Sequence, residues 1–220
     1  MNYRAVIFDL GGVVLGSPLQ AISDYERSAG LEPGVVGRVI VAGGAQGAWS
    51  RLERGEIDRT AFHAVFAAEC RTAGAEVDTR RLFEFIAQAS EPRPEMLAAI
   101  ARIRARGLKA AALTNNWAPE EGEEGRLGGE IGPCFDAVFE SAVLGLRKPD
   151  PRVYRYVCAE LGIGPEQAVF LDDIGANLKS ARALGMRTIR VVEPREALAE
   201  LERALGFGLL QDAGAGSGSG

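Results

Sequence analysis

The sequence predicts an α/β fold: a doubly wound parallel sheet with an all-helical segment inserted behind its first strand. Three observations carry that prediction. Residues 5–8, 108–113 and 168–171 are short continuous apolar runs, the pattern of strands buried on both faces. Between them lie stretches with apolar residues at helical spacing, so strands and helices alternate as in a sheet with right-handed crossovers. From residue 17 to 89 the alternation stops and only helical patterning remains.

In chain order, residues 5–8 form the first strand, ending at Asp9 and a Gly11-Gly12 turn, with residues 13–15 a loop or short hairpin arm. Within the insert, Ile22, Tyr25 and Ala29 share a helical face. So do Phe62, Val65, Phe66 and Cys70, and then Leu82, Phe85 and Ile86. Asp58 and Asp78 are placed to cap helices, and glycines from Gly30 to Gly74 punctuate the segment. Four or five helices are expected there. The α/β rhythm returns at Pro94. Met96, Leu97, Ile100 and Ile103 line a helix closing at Gly107. Residues 108–113 lead to Thr114, Asn115 and Asn116, and residues 119–129 read as a polar loop or short helix. Residues 137–140 are a third strand. Residues 149–161 are a helix with Val153, Tyr156 and Val157 inward. After the strand at 168–171 come a helix over 177–184, a strand over 187–192 and a last helix over 194–205, with Leu198, Leu201 and Leu205 on one face. The expected division is a sheet domain of residues 1–16 and 90–210, a helical insert of 17–89 and a flexible Gly/Ser tail, 211–220.

A chain of 220 residues that is 47% hydrophobic and 25% charged can bury a core, which excludes wholesale disorder. A net charge of −5 gives neither nucleic acid nor an anionic membrane the basic face it would need. Cys70, Cys134 and Cys158 are scattered and odd in number, so neither a disulfide framework nor a cysteine metal site is expected. The N-terminus runs straight into a strand, and no apolar run reaches membrane-spanning length; the expectation is a cytoplasmic protein. Exposed apolar positions on the insert leave a homodimer open.

The polar residues fall at strand ends: Asp9 after the first, Thr114 and Asn115 after the second, Lys148 beyond the third, Asp172 and Asp173 after the fourth. In a parallel sheet these ends share one lip. Each residue singly has a plain reading: a turn-forming acid, a capping threonine, a solvated lysine, two acids capping the next helix. Together they suit phosphoryl transfer. Asp9 could attack phosphorus as a carboxylate nucleophile. A Mg2+ held by Asp9 and Asp173 would cancel the repulsion between nucleophile and phosphate. Thr114 and Asn115 could donate to phosphate oxygens, and Lys148 would neutralise charge developing in the transition state.

Phe8-Asp9-Leu10-Gly11-Gly12-Val13, Leu113-Thr114-Asn115, Arg147-Lys148-Pro149-Asp150 and Phe170-Leu171-Asp172-Asp173 resemble the four motifs of the haloacid dehalogenase-like hydrolase superfamily, in order and spacing, over the chain to about residue 210. The helical insert lies where that superfamily places a helical cap. Thr114-Asn115-Asn116-Trp117, the run 171–179 and the cap stretches 47–51 and 54–57 are similar to the N-terminal phosphatase domain of soluble epoxide hydrolase. They are also similar to the corresponding domain fused to some acyl-CoA dehydrogenases.

The resemblance implies a Rossmann-like core, Asp9 as nucleophile, and Mg2+ on Asp9, the Gly11 carbonyl and Asp173. It implies that Asp172 orients Lys148 or a metal-bound water, that Thr114, Asn115 and Asn116 bind phosphate, and that Asn177 supports the acidic loop. The implied substrate is a small phosphorylated metabolite. One departure stands out. Phosphatases of this superfamily usually carry an Asp two residues after the nucleophile, as general acid and base; here it is Gly11. Turnover of ordinary alkyl phosphates is expected to fall by roughly 10²–10⁴-fold, and leaving groups of low pKa to suffer least. Alternatives are a haloacid dehalogenase-type hydrolase, against which the Asp172-Asp173 pair counts, and a non-catalytic phosphate-binding domain. In the cap, Trp49 and Arg51 are candidate pocket residues. Arg54 and the lone histidine, His63, read more plainly as a solvated and a structural side chain.

Overall fold

The computed structural model describes residues 2–119 and 131–210. Five parallel strands make one sheet: β1 Ala5–Phe8, β2 Lys109–Thr114, β3 Ala137–Glu140, β4 Ala168–Asp172 and β5 Arg187–Arg190. Their order is β3-β2-β1-β4-β5. β1 is central and sets Phe8 level with Ala112 of β2 and Leu171 of β4. Chain order reverses there, so the crevice beyond the C-terminal ends of β1 and β4 is where an open α/β sheet holds a ligand.

The helices are α1 Pro18–Ser28, α2 Val35–Gly43, α3 Ala48–Glu53, α4 Arg59–Thr72, α5 Thr79–Ala89, α6 Pro94–Ala105, α7 Ser141–Leu144, α8 Pro151–Leu161, α9 Gly175–Ala183 and α10 Pro194–Leu205. Alternation along β1 sends Val6 and Phe8 to one face, with Ile100, Val169 and Leu198. It sends Ala5 and Ile7 to the other, with Val153, Phe170 and Leu178. Helices α1 to α5 gather a third core of their own around Tyr25, Trp49, Phe62, Phe66 and Leu82. They start where expected: Asp58 accepts from Ala61 N–H, and Asp78 from the N–H groups of Arg80 and Arg81. Two connections join insert to sheet side by side. Gly16 N–H donates to Glu91 O, Arg93 N–H to Val14 O, and Leu15 bridges Pro92.

Several local expectations change. Of the two expectations for residues 13–15, the loop holds: residues 10–14 form a wide turn closed by Leu15 N–H on Leu10 O, with Gly11 and Gly12 outside helical conformation. Ala29 and Val65 face water, while Phe83 joins the insert's core, because the buried stripe of α4 runs Phe62, Phe66, Cys70 at steps of four. On α8 the inward tyrosine is Tyr154, with Tyr156 40% exposed. That helix begins at Pro151 because Asp150, ahead of a proline, is held extended and caps Arg152 N–H. The four residues of α7 carry no periodic signal of their own. Most of the 119–129 segment and all of the 211–220 tail lie outside the described residues. Among the described residues, no helix is long and apolar enough to cross a membrane.

Candidate active site

The strand ends do meet. Asp9 leaves β1 fully extended and its Oδ1 accepts from Leu10 N–H at 2.7 Å and from Lys148 Nζ at 2.7 Å. The same ammonium reaches Asp172 Oδ2 at 2.8 Å. Lys148, only 1% exposed, thus bridges two buried carboxylates. Its backbone is gripped by the Asn115 side chain, which accepts from Lys148 N–H at 2.9 Å and donates to Lys148 O at 3.0 Å. Asp172 is further satisfied by Ile174 N–H at 2.8 Å and by Asn177 Nδ2 at 3.1 Å. Tyr154 then pins the first turn of α9 by donating to Asn177 O at 3.0 Å. Asp172 therefore has no lone pair aimed at a ligand, whereas its neighbour does: Asp173 Oδ1 is buried without a hydrogen-bond partner.

Charge is out of balance at this lip. Burial, reinforced by Asp172 and Asp173, pushes Asp9 up to about 8 against the pull of Lys148. Burial and the Asp172 carboxylate also raise Asp173, against Lys148 and Arg93. Burial works against the Lys148 ammonium, but Asp9 and Asp172 together hold it above the usual lysine range. Asp9, Asp172 and Asp173 each place an oxygen within 4.8 Å of the others. Lys148 and Arg93 oppose three such groups, and the oxygens that Asp9 and Asp173 keep available suit a divalent cation. Gly12, at φ +80°, is required beside them: a Cβ there would lie 2.3 Å from Asp173 Oδ2. Gly11 is crowded from the insert, where a Cβ would lie 2.9 Å from Pro18 Cγ, at the first turn of α1.

The other expected site residues are distributed as follows. Thr114 is buried at the end of β2, on the lip. Asn116 turns toward β3: its N–H donates to Ser141 Oγ and its amide to Glu140, leaving its Oδ1 buried without a partner. Trp49 is not a free pocket wall. It is 7% exposed, donates to Glu53 Oε1 at 3.0 Å and packs edge-on to Phe62, Phe66 and Trp117. Arg51 lies 3.9 Å from Glu56, which also pairs with Arg54. His63 bonds Thr79 at 2.8 Å within the insert.

Four residues at or around the site escaped sequence reasoning. Arg93 donates to Gly12 O at 3.2 Å and Val13 O at 3.4 Å, beside Asp173. Arg147, Glu53 and Trp117 join insert to sheet. Arg147 and Trp117 stand within the motif stretches quoted above, which was the available signal. No spacing rule connects Glu53 to Arg147, 94 residues on.

Residues 3–185 match the family model of haloacid dehalogenase-like hydrolases. The chain is 39% identical to acyl-CoA dehydrogenase family member 10 of Mus musculus, over 94% of its own length and 20% of that protein. It is 33% identical to bifunctional epoxide hydrolase 2 of Sus scrofa, over 96% of its length and 40% of that protein. It thus spans less than half of these relatives. A sesquiterpene phosphatase of Aspergillus oryzae is 25% identical over 93% of this chain and 98% of that one. Among solved structures, a HAD family enzyme from Bacteroides thetaiotaomicron, in complex with magnesium and inorganic phosphate, shares the fold. Its TM-score is 0.60 at 18% identity, over 86% of this chain and 93% of that one. With four motifs gathered on one lip and the family model matching residues 3–185, this chain belongs to the haloacid dehalogenase-like hydrolases.

Proposed function

We propose that the protein is a Mg2+-dependent phosphatase of small phosphorylated metabolites that works through a phosphoryl group carried on Asp9. The observation behind it is the cluster of acids at the lip: three carboxylates gathered against the Lys148 ammonium and the Arg93 guanidinium, with a buried Asp173 oxygen that has no donor. That donor set fits Mg2+, with Asp9, the Gly11 carbonyl and Asp173 as its holders. When bound, Mg2+ supplies the positive charge that lets a carboxylate and a phosphate approach. The names of relatives support the reading, one being a phosphatase matched over nearly its whole length.

The chain's own groups then have defined work. Asp9 Oδ1 is held by Leu10 N–H and Lys148, which leaves Oδ2 to attack phosphorus. The bond from phosphorus to the leaving oxygen breaks as the new Asp9–phosphorus bond forms. Water then cleaves the acyl phosphate, releasing inorganic phosphate and regenerating Asp9. Lys148 offsets charge on the phosphoryl oxygens, Thr114 offers them a hydroxyl donor, and Asp172 with Asn177 keeps the ammonium in place. Asn115 acts by holding the Lys148 backbone. Gly11 supplies no proton to the leaving group, so poor leaving groups are turned over slowly.

The test is phosphate release from a panel of sugar, acyl and lipid phosphates with and without Mg2+. Release should require Mg2+ and vanish in Asp9→Asn. Turnover retained in that variant would remove the reading, and chelator-insensitive halide release from a 2-haloacid would replace it with a dehalogenase.

A further inference from the structure

We propose that Glu53 and Arg147 form a latch through which the helical insert sets the position of Lys148, making Arg147 a positioning residue for the reaction. The inference rests on the reading of Lys148 given above. It starts from α3. Trp49, Ser50 and Glu53 on this helix are all under 9% exposed. Arg147 of the sheet domain reaches into them, its Nε donating to Glu53 Oε2 at 2.5 Å and its Nη1 to Ser50 Oγ at 3.2 Å. Trp49 Nε1 donates to the other Glu53 oxygen at 3.0 Å. The carboxylate is therefore held from both sides, once by its own helix and once by the sheet domain. Burial pushes the Glu53 pKa up, and Arg147 is the chief group opposing that push. Among the described residues, the other ion pairs of the insert, such as Arg54–Glu56 and Arg38–Glu32, stay within it.

The next residue in the chain is Lys148. Adjacent Cα atoms are about 3.8 Å apart, so a shift of the Arg147 backbone is passed on to the lysine. Its ammonium has little slack, at 2.7 Å from Asp9 and 2.8 Å from Asp172. A second strap runs to the same place. Asn115 grips the Lys148 backbone, and two residues later Trp117 packs on Phe83 at 4.7 Å and Trp49 at 6.1 Å between ring centres. Both segments that hold Lys148 are thus anchored around Trp49. Seating the insert and placing the lysine become one event.

The test uses the full chain with Glu53→Gln, Arg147→Met and the two combined. The double variant buries no unpaired charge, so it folds even where Arg147→Met alone does not. Two readouts are taken: Mg2+-dependent phosphate release from p-nitrophenyl phosphate, and tryptophan emission from Trp49 and Trp117. Each single change is expected to lower kcat by about tenfold with KM moved by less than about threefold. The double change should fall no further than the worse single one, and Arg147→Lys should recover part of the loss. Emission of Glu53→Gln and of the double variant should shift to the red. Losses that multiply, a Glu53→Gln kcat equal to wild type, or unshifted emission would each overturn the latch. A wild type inert toward every phosphate with Mg2+ would instead sink the phosphatase reading, and emission would still judge the latch.

Discussion

The lip of the sheet and the centre of the helical insert both bury most of their side chains, but they are held together by opposite means. In the insert, Phe62 stacks on Phe66 at 5.0 Å and Trp49 meets both edge-on, so apolar burial and ring packing do the work without any ligand. At the lip, Lys148, Asp9 and Asp172 are buried ionisable groups, and Asp173 keeps an oxygen without a donor. Such a cluster gains little stability from its own pairing, since desolvation offsets most of the attraction. One region is complete as folded. The other keeps a buried carboxylate oxygen that the fold itself does not satisfy.

The sharpest way to break that contrast is to remove one member from each region. Phe62→Ala should destabilise by about 3–5 kcal/mol through lost burial and a residual cavity. Lys148→Met should cost about the same, because it leaves Asp9 and Asp172 buried without a cation. Denaturant unfolding with and without Mg2+ separates them: Mg2+ should recover part of the Lys148→Met loss and none of the Phe62→Ala loss. Equal response of the two variants to Mg2+ would erase the distinction.

A smaller effect appears in pH. The Asp9 carboxyl titrates at about 8 in the folded chain against 3.8 as its ordinary value. Between those values the native state binds more protons than the unfolded one, so this group's contribution to stability falls as pH rises from about 4 to 8. The added stabilisation by Mg2+ should therefore be larger at pH 8 than at pH 5 in thermal unfolding scans, and the pH 8 excess should shrink in Asp9→Asn. A larger increment at pH 5 would contradict this.

The smallest effect tests where the two regions touch. Gly11→Asp drives a Cβ toward Pro18 Cγ, 2.9 Å away. Alone, it should destabilise by about 1–3 kcal/mol and leave turnover of alkyl phosphates unimproved. With Pro18→Ala added, the new carboxyl has room and turnover of alkyl phosphates should rise. A gain from Gly11→Asp by itself would show that the proline is no obstacle.

Much of the sheet was legible because burial on both faces demands unbroken apolar runs, and those at β1, β2 and β4 are hard to misread. The lip followed from them, since parallel strands deliver their ends to one side. What did not follow was the division of labour among its residues. Asp172 and Asp173 are neighbours in sequence, yet one is saturated by Lys148, Ile174 and Asn177 while the other has an oxygen to spare. Tyr154 and Tyr156 differ by two positions on α8, and a helical stripe wide enough to include either does not say which one faces Asn177. The Asn115 amide, expected on phosphate, also grips the Lys148 backbone, a role its position did not announce.

By itself the sequence determined the α/β class, the site of the helical insertion and which acids and which lysine reach the end of the sheet, because periodicity and strand polarity are local properties. Only the tertiary structure decided that Glu53 meets Arg147, that Trp117 seats against Trp49, and that Pro18 crowds Gly11. The first two join segments distant in the chain and the third joins the turn after β1 to the start of the insert; all are set by how two separately cored units pack, which the spacing of residues does not encode.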